Sequence, residues 1–200
     1  MTEIRNKDGL TEKEFLAQYD ASRFPPVFVT VDVVLLNGPK VLLIRRGNHP
    51  WIGKLALPGG FVEPDDDAES AARRELTEET GIGNVVLKQL PVKSRPDRDP
   101  RARIVTVPFL GHFASGETPA QAGDDAAEAG WWDIETTDLG ETLDIRLTRG
   151  NETESFHVRR SFFPSHHPSD PVYTVEGDSP LASDHAEILA SALDVEHRNY

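Results

Sequence analysis

Residues 67–80 constrain the fold of this chain more than any other segment, because they combine an apolar helix face with acidic side chains. At about 100° per residue, one side of this helix carries three alanines, a leucine and three glutamates: Ala68, Ala71, Ala72, Leu76, Glu75, Glu78 and Glu79. Carboxylates crowded on a partly buried face are costly unless a cation neutralises them. Oxygen ligands suit Mg²⁺ or Mn²⁺, and phosphates complete the octahedron. The segment therefore favours a metal-binding helix over a solvated acidic one.

Composition narrows the class of protein further. A length of 200 residues fits one domain with additions. The absence of cysteine excludes disulfides, zinc–thiolate sites and cysteine nucleophiles, and fits the cytoplasm, which is the predicted location. The net charge of −13, without any run of Lys or Arg, disfavours a nucleic-acid partner. No apolar run approaches the roughly 20 residues that span a bilayer, so no membrane partner is expected.

Apolar periodicity and turn residues predict one mixed unit of strands and helices. The predicted helices are 11–20, 67–80 and one beginning near 183–184, where Asp184 and Glu187 have capping-box spacing. The predicted strands are 27–36 and 41–44, which form a hairpin, then 85–92, 104–113, 131–134 and a second hairpin of 143–147 with 155–158. Residues 116–123 and 162–181 are predicted loops, and His166 and His167 are expected to be solvated.

The surroundings of the acidic helix also suit a ligand site. Gly59 and Gly60 precede the helix and allow a close backbone approach. Asp66 and Glu69 have the spacing of an N-terminal cap. Arg74 lies four residues before Glu78 and is expected to hold that carboxylate in place.

The spacing around the helix resembles the Nudix box of the Nudix hydrolases. Gly60 is followed after five residues by Asp66, and after seven more by the sequence Arg-Glu-Leu-Thr-Glu-Glu-Thr-Gly-Ile at 74–82. The family has Glu at the position of Asp66, and its other fixed positions are all present. The resemblance implies an α+β fold, an α/β/α sandwich with a mixed sheet between helices. The implied organisation is an arm at 1–24 and a Nudix domain at 25–200, with an insertion at 135–181.

The resemblance also implies an activity and its ligands. Nudix hydrolases cleave a nucleoside diphosphate linked to another moiety, with Mg²⁺ or Mn²⁺. The implied metal ligands are the carbonyl of Gly59, Glu75 and Glu79, with Glu78 in a second or bridging position. Arg74 is expected to orient these glutamates.

Other segments resemble Nudix domains that act on ADP-ribose, in particular 43–46, 96–101 and 184–188. They imply hydrolysis of ADP-ribose to AMP and ribose 5-phosphate. The candidate substrate contacts are Arg45, Arg46, Phe61, Arg98 and Arg101. Asp97, Asp99, Glu78 and Asp184 are candidates for the general base. Two alternatives stay open, because Arg45 and Arg46 also fit a solvated strand end, and 96–101 also fits a turn closed by internal ion pairs instead of a lid.

A second class of protein has to be weighed against the enzyme. NAD-metabolism regulators with a Nudix domain bind ADP-ribose or a related nucleotide without cleaving it, and they carry a C-terminal winged helix. Only 181–200 follow the last predicted loop and they are not basic, so the enzyme is favoured. Within the enzyme class, NADH, sugar nucleotides and dinucleoside polyphosphates are alternative substrates. ADP-ribose-hydrolysing relatives are often homodimers, and the arm 1–24 is a candidate exchange element.

Overall fold

The computed structural model describes residues 3–113, 126–162 and 171–198. Within these ranges the helices are α1 Glu12–Gln18, α2 Ala68–Thr80 and α3 His185–Arg198, with a short 3₁₀ turn at Ala21–Arg23. The strands are β1 Phe28–Asn37, β2 Lys40–Arg46, β3 Leu55–Ala56, β4 Gly59–Phe61, β5 Leu87–Gln89, β6 Ile104–His112, β7 Ala126–Asp138, β8 Thr142–Arg149, β9 Glu152–Ser161 and β10 Val172–Glu176.

All described strands belong to one mixed sheet. Its order is β10-β9-β8-β7-β2-β1-β6-β5, with β3 beside β2 and β4 beside β1. The pair β1 and β6 is parallel, and the other neighbours are antiparallel. The predicted first hairpin is confirmed, because Asn37 pairs with Lys40 across a turn at Gly38, which has a φ of 55°. The Pro58 carbonyl accepts from the backbone N–H of Val33 at 2.8 Å, which fastens the β3–β4 segment to β1.

Helices cover both faces of this sheet, which confirms the expected sandwich. Along β1, alternate side chains enter opposite cores, as the two-residue period of a strand requires. Val31, Val33 and Leu35 pack with α2, whereas Val34 and Leu36 pack in the core that contains α3. The buried strand β1 therefore separates two cores. It also carries the one acidic residue within its buried run, Asp32, on the same side as Val34.

The C-terminal part of the sheet is larger than the sequence predicts. The predicted strand 131–134 is part of the 13-residue β7, and β10 lies within the predicted loop 162–181. These strands owe their length to pairing: β10 pairs with β9 from Val172 opposite Ser161 to Glu176 opposite His157. By contrast, the predicted strand 85–92 is reduced to β5. Residues 116–123, His166 and His167 lie outside the described residues, and the insertion at 135–181 stays a prediction.

The N-terminal segment is exposed. A capping box at Thr11 and Glu14 begins α1, but no side chain of this helix is buried. Phe15 and Leu16 of the helix and Tyr19, which follows it, are exposed. The arm boundary at 1–24 and the homodimer stay predictions. In the described ranges, every helix is too short or too polar to cross a bilayer.

Candidate active site

Helix α2 presents the predicted acidic surface to the neighbouring strands. Its buried side chains are Ala71, Ala72, Leu76 and Thr80, and it ends at Gly81 in the left-handed conformation, with a φ of 75°. The expected cap at Asp66 is wrong, because the side chain of Asp67 accepts the N-terminal bond, from the N–H of Ser70 at 2.8 Å. Asp66 is used differently, in an ion pair with Arg74.

The two glycines of β4 lie directly against the glutamates of α2. A Cβ on Gly60 would overlap the carboxylate of Glu75, and one on Gly59 would overlap the carbonyl of Val31. The backbone N–H of Gly59 donates to Glu79 Oε2 at 2.9 Å. Close backbone approach explains the glycine at Gly59, whereas a side chain at Gly60 would displace the Glu75 carboxylate. The close approach also brings the Gly59 peptide next to two carboxylates.

Arg74 connects the acidic groups at the helix start to those at its centre. Its Nε lies 3.0 Å from Asp66 Oδ2, and its Nη1 lies 2.8 Å from Glu75 Oε1 and 3.2 Å from Glu78 Oε2. Its Nη2 donates to the carbonyl of Phe61 at 3.0 Å. These bonds, that to Glu75 first, raise the pKa of Arg74. The guanidinium thus contacts three carboxylates, including the predicted Glu78, and its role in orienting the glutamates for a metal stays a prediction.

The glutamates differ in how much negative charge is left uncompensated. Burial raises the pKa of Glu79 to about 8, and the charges of Glu75 and Asp32 add to this effect. Burial also raises the pKa of Glu75. Glu78 differs from the expectation of a shared buried face, because its side chain is 59% exposed. At about 100° per residue it lies 60° from Glu75, at the edge of the acidic surface.

The donor set fits a hard divalent cation. Among the described residues, no three acidic or histidine side chains converge tightly enough to form a complete cage. Mg²⁺ does not require one, because it binds through one or two carboxylates and takes its other ligands from water and phosphate. Glu75 and Glu79 are half-buried carboxylates with raised pKa values, and Glu79, which has no ion pair among the described residues, carries the charge that such a cation would compensate.

A cavity of about 110 Å³ opens beside Gly59 and Gly60. Its other lining residues come from five segments: Thr30, Asp32, Arg46, Trp51, Leu57, Phe61, Arg98, Asp99, Arg101, Ala182, Ser183 and His185. Burial and the neighbouring Arg101 lower the pKa of Arg46. The positive charges of Arg46 and Arg101, near the glutamates of α2, suit an anion such as a phosphate that carries metal ions. A larger cavity of about 650 Å³ behind α3 shares only Asp184 with the predicted site residues.

The 96–101 loop has one internal ion pair, between Asp99 and Arg101, and its other ion pairs reach residues outside the loop. Arg98 is buried, and its Nη2 and Nε lie 2.7 and 2.9 Å from the Asp184 carboxylate. Asp99 accepts from Arg101 Nη2 at 2.8 Å, and this cluster lines the cavity. Asp97 pairs instead with Arg95 and is 79% exposed. The loop is therefore held by one internal pair and by the pair of Arg98 with Asp184 at the start of α3, and the choice between a turn and a lid stays a prediction.

Arg45 and Asp97 neither line the cavity nor pair with a glutamate of α2, whereas Asp32, which was not predicted as a site residue, lies in the cavity wall with Thr106 bonded to it. Arg45 lies 2.6 Å from Glu152. Asp32 is buried in the cavity wall and accepts from Thr106 Oγ1 at 2.6 Å. The sequence carries a signal for Asp32, since a lone acid interrupts an apolar strand. For Thr106 it carries none, because threonine is ordinary in strands.

Comparisons with known proteins identify the family, since residues 26–153 match the NUDIX domain. The chain belongs to the NUDIX domain family. The matched range contains every predicted metal ligand together with the 96–101 loop. The Nudix box resemblance is thereby confirmed at the level of the family, whereas the role of each site residue stays a prediction.

Two related proteins and one solved structure are similar to this Nudix chain. An ADP-ribose pyrophosphatase from Methanocaldococcus jannaschii is 42% identical over 130 residues, 65% of this chain and 75% of that protein. The ADPR responsive transcriptional repressor NtrR from Acinetobacter baylyi is 41% identical over 106 residues, which is 50% of this chain but only 42% of the repressor. A MutT/nudix family protein from Enterococcus faecalis has a TM-score of 0.74 and 34% identity, and the match covers 94% of this chain and 70% of that one.

Proposed function

We propose that this Nudix chain hydrolyses the diphosphate bond of a nucleoside diphosphate derivative in a Mg²⁺- or Mn²⁺-dependent reaction, with ADP-ribose as substrate. The observation that carries the proposal is the pair of half-buried carboxylates with raised pKa values, Glu75 beside Gly60 and Glu79 bonded to the Gly59 N–H. Similarity to an ADP-ribose pyrophosphatase supports the choice of ADP-ribose. The products would be AMP and ribose 5-phosphate.

The chain's own residues would divide the work between cation and phosphate. Glu75, Glu79 and the Gly59 carbonyl would hold the metal, with Glu78 at the exposed edge of the same surface. A bound divalent ion lowers the pKa of water and stabilises charge on the phosphoryl oxygens. Arg46 and Arg101 would bind the diphosphate oxygens, because guanidinium groups match phosphate geometry. Asp99 holds Arg101 in place at 2.8 Å.

The candidates for the general base are not equally available. Although burial opposes it, Arg101 lowers the pKa of Asp99, and Arg98 likewise lowers that of Asp184. Both carboxylates are therefore committed to arginines. Asp97 pairs with Arg95, which does not line the cavity beside Gly59, and it has no ion pair with α2. Glu78, with one contact of 3.2 Å to Arg74 and an exposed side chain, is the candidate that we favour as proton acceptor.

The size of the cavity indicates that only part of the substrate lies inside it. At about 110 Å³ it is smaller than the roughly 300–1,000 Å³ of sites that enclose a whole ligand. We infer that the diphosphate lies inside and that the nucleoside lies outside, on the aromatic surface of Phe61 and Phe28. Their rings meet edge to face at 6.2 Å and are 42% and 46% exposed. Arg101 lies over Phe61, 5.3 Å from its centroid.

A substrate panel tests this function. ADP-ribose, NADH, diadenosine polyphosphates and sugar nucleotides are incubated with Mg²⁺ or Mn²⁺, and the products are separated by chromatography. We expect AMP and ribose 5-phosphate from ADP-ribose and about 10³-fold lower turnover for Glu79→Gln, since a metal ligand contributes several kcal/mol to catalysis. Glu69→Gln, on the opposite side of α2, is the matched control. Wild-type turnover in Glu79→Gln would refute the metal site.

The similarity to the NtrR repressor favours one second candidate, an ADP-ribose-responsive protein that binds without hydrolysis. The two functions differ in a single measurement. Calorimetric binding of ADP-ribose with Mg²⁺ present, together with no product from any member of the panel, would favour the binding protein. Turnover of ADP-ribose favours the hydrolase.

A further inference from the structure

The buried side chain of His185 connects α3 to the strand that carries the predicted metal-binding carbonyl. It is the first residue of α3 and is 8% exposed. Its Nδ1 lies 2.9 Å from the backbone nitrogen of Leu57. A peptide N–H only donates, so Nδ1 is the acceptor and the ring proton is assigned to Nε2. Nε2 lies 3.4 Å from Asp32 Oδ1.

The Leu57 peptide is two residues from the point where metal binding is proposed. Pro58 has no N–H, so Leu57 provides the last backbone donor before Gly59. Three bonds then fix this segment in sequence: Leu57 N–H to His185, Val33 N–H to the Pro58 carbonyl at 2.8 Å, and Gly59 N–H to Glu79 at 2.9 Å. Of the three, only the bond to His185 comes from the core on the α3 side of the sheet.

The other side of the imidazole is also held. Asp32 is buried, accepts from Thr106 Oγ1 at 2.6 Å, and pairs in register with Gly59 between β1 and β4. The imidazole therefore lies between an acceptor on β1 and a donor on the adjoining segment. Its Nδ1 faces the N–H of Leu57, two residues before Gly59, and its Nε2 faces Asp32, which pairs with Gly59 across the sheet. A ring fixed at both nitrogens transmits position with little rotational freedom.

We propose that His185 is a positioning residue for metal binding, which holds the Leu57–Gly59 segment through Nδ1 so that the Gly59 carbonyl and Glu79 face the cation together. This inference rests on the proposed function. It assigns to α3 a part in the site that the Nudix box itself does not include.

Three substitutions separate the acceptor role from simple packing. In His185→Asn, the amide oxygen takes the place of Nδ1 and retains the acceptor. In His185→Gln, the amide extends toward the place of Nε2 and the Nδ1 acceptor is lost. His185→Ala removes both. His157→Gln is the matched control, because His157 is an exposed histidine that pairs with Asp144 at 2.7 Å on the distant β8–β9 hairpin.

Mn²⁺ binding without substrate, measured by electron paramagnetic resonance, is the primary readout, with thermal unfolding and the kinetic constants alongside it. We expect about 10- to 100-fold weaker Mn²⁺ binding for His185→Gln and His185→Ala, the usual effect of losing a group that orients a ligand. His185→Asn and His157→Gln are expected to remain within about three-fold of wild type. In the weakened variants, kcat should fall more than KM rises, because metal geometry and not substrate affinity is disturbed.

Two results would contradict the positioning role, and a third would contradict the proposed function. Unchanged Mn²⁺ affinity in His185→Gln would contradict the positioning role. Equal weakening in all three variants, in proportion to their loss of thermal stability, would assign His185 to packing alone. If wild-type protein binds no Mn²⁺ and cleaves no substrate of the panel, the hydrolase itself is refuted. Weakening in Gln and Ala with recovery in Asn supports the proposal.

Discussion

Two groups of buried carboxylates lie on opposite faces of the sheet, and their electrostatic states are opposite. On the α2 face, burial raises the pKa of Glu75 and brings that of Glu79 to about 8. On the α3 face, burial acts on Asp184 in the same direction, but the hydrogen bonds and charge of Arg98 lower its pKa overall. Burial likewise raises the pKa of Asp99, but its hydrogen bonds with Arg101 lower it overall. The extent of burial alone therefore does not decide whether the pKa of these carboxylates is raised or lowered.

The presence of a countercharge within the chain explains the difference. Asp184 and Arg98 form two hydrogen bonds of 2.7 and 2.9 Å, which complete the pair when the protein folds. Glu79 accepts one backbone hydrogen bond, from Gly59, and the charge of Arg46 lowers its pKa less than burial, Glu75 and Asp32 raise it. The charge of Asp184 is thus balanced within the fold, whereas Glu79 has no ion pair among the described residues and would be balanced by the cation of the proposed function. The two groups should respond to substitution with opposite signs.

The largest effect on stability is expected from breaking the ion pair between Arg98 and Asp184. Arg98→Met leaves Asp184 buried without a countercharge, which costs about 3–5 kcal/mol of unfolding free energy. Urea denaturation monitored by tryptophan fluorescence measures this loss. In the double variant Arg98→Met with Asp184→Leu, most of the loss should be recovered, because two apolar side chains replace a buried ion pair at little cost.

A neighbouring pair in the same loop provides the control for that experiment. Arg95 and Asp97 lie 2.8 Å apart but are 50% and 79% exposed. Asp97→Asn should cost less than about 1 kcal/mol, as exposed ion pairs usually do. A cost below that value for Arg98→Met as well would mean that Arg98 and Asp184 are not the fixed element described above.

The opposite sign is expected at Glu79. Its pKa is higher in the folded protein, about 8, than its ordinary value of 4.5, so the folded state binds the extra proton between these pH values. The stability of the metal-free protein should therefore fall as pH rises from about 5 to 8. Glu79→Gln removes this dependence and should stabilise the metal-free protein by about 2–4 kcal/mol at pH 9, and hardly at all at pH 4.

Urea denaturation in the presence of a chelator, at pH 4, 7 and 9, measures this effect. Glu69→Gln, whose carboxylate is exposed and pairs with Arg73, serves as the control and should show no such pH dependence. Destabilisation by Glu79→Gln at pH 9 would mean that the carboxylate is compensated within the fold, and the contrast between the two faces would be lost.

The parts of the site that depend on contacts within one segment of the chain could be predicted from the sequence. The acidic surface of α2, its end at Gly81 and the contact of Arg74 with Glu78 follow from spacing within one helix, and all three are present in the structure. The position of the cap was wrong by one residue, since Asp66 and Asp67 are chemically identical. Their choice depends on Arg74, which engages Asp66 from eight positions along the chain.

Features that depend on distant parts of the chain could not be predicted. Arg98 finds its partner 86 residues away at Asp184, so the loop alone left a lid and an ion-paired turn open. The strand β10 gains its hydrogen bonds from β9, and its own short sequence was interpreted as a loop. The contact of His185 could not be predicted for the same reason, because the Leu57 N–H that donates to it lies 128 residues earlier.

Metal binding itself should report the uncompensated charge of the α2 group. A cation binds the deprotonated carboxylate, so binding must release a proton below the pKa of Glu79, about 8. Mg²⁺ affinity should therefore rise about 50-fold between pH 6 and 8, close to the tenfold-per-unit limit for one coupled proton. Isothermal titration in buffers of different ionisation enthalpy counts the protons. A pH-independent affinity without proton release would contradict the raised pKa.

The smallest effect is expected at Glu78, which marks the edge of the uncompensated group. Its side chain is 59% exposed and its contact with Arg74 is 3.2 Å, so water already solvates most of its charge. Glu78→Gln should change the unfolding free energy of the metal-free protein by less than about 0.5 kcal/mol. Glu75, at 15% exposure, should instead respond in the direction of Glu79. If Glu78→Gln stabilised the protein as Glu79→Gln is expected to, the unbalanced charge would extend across all three glutamates, and the cation would have to contact the exposed edge of α2 as well.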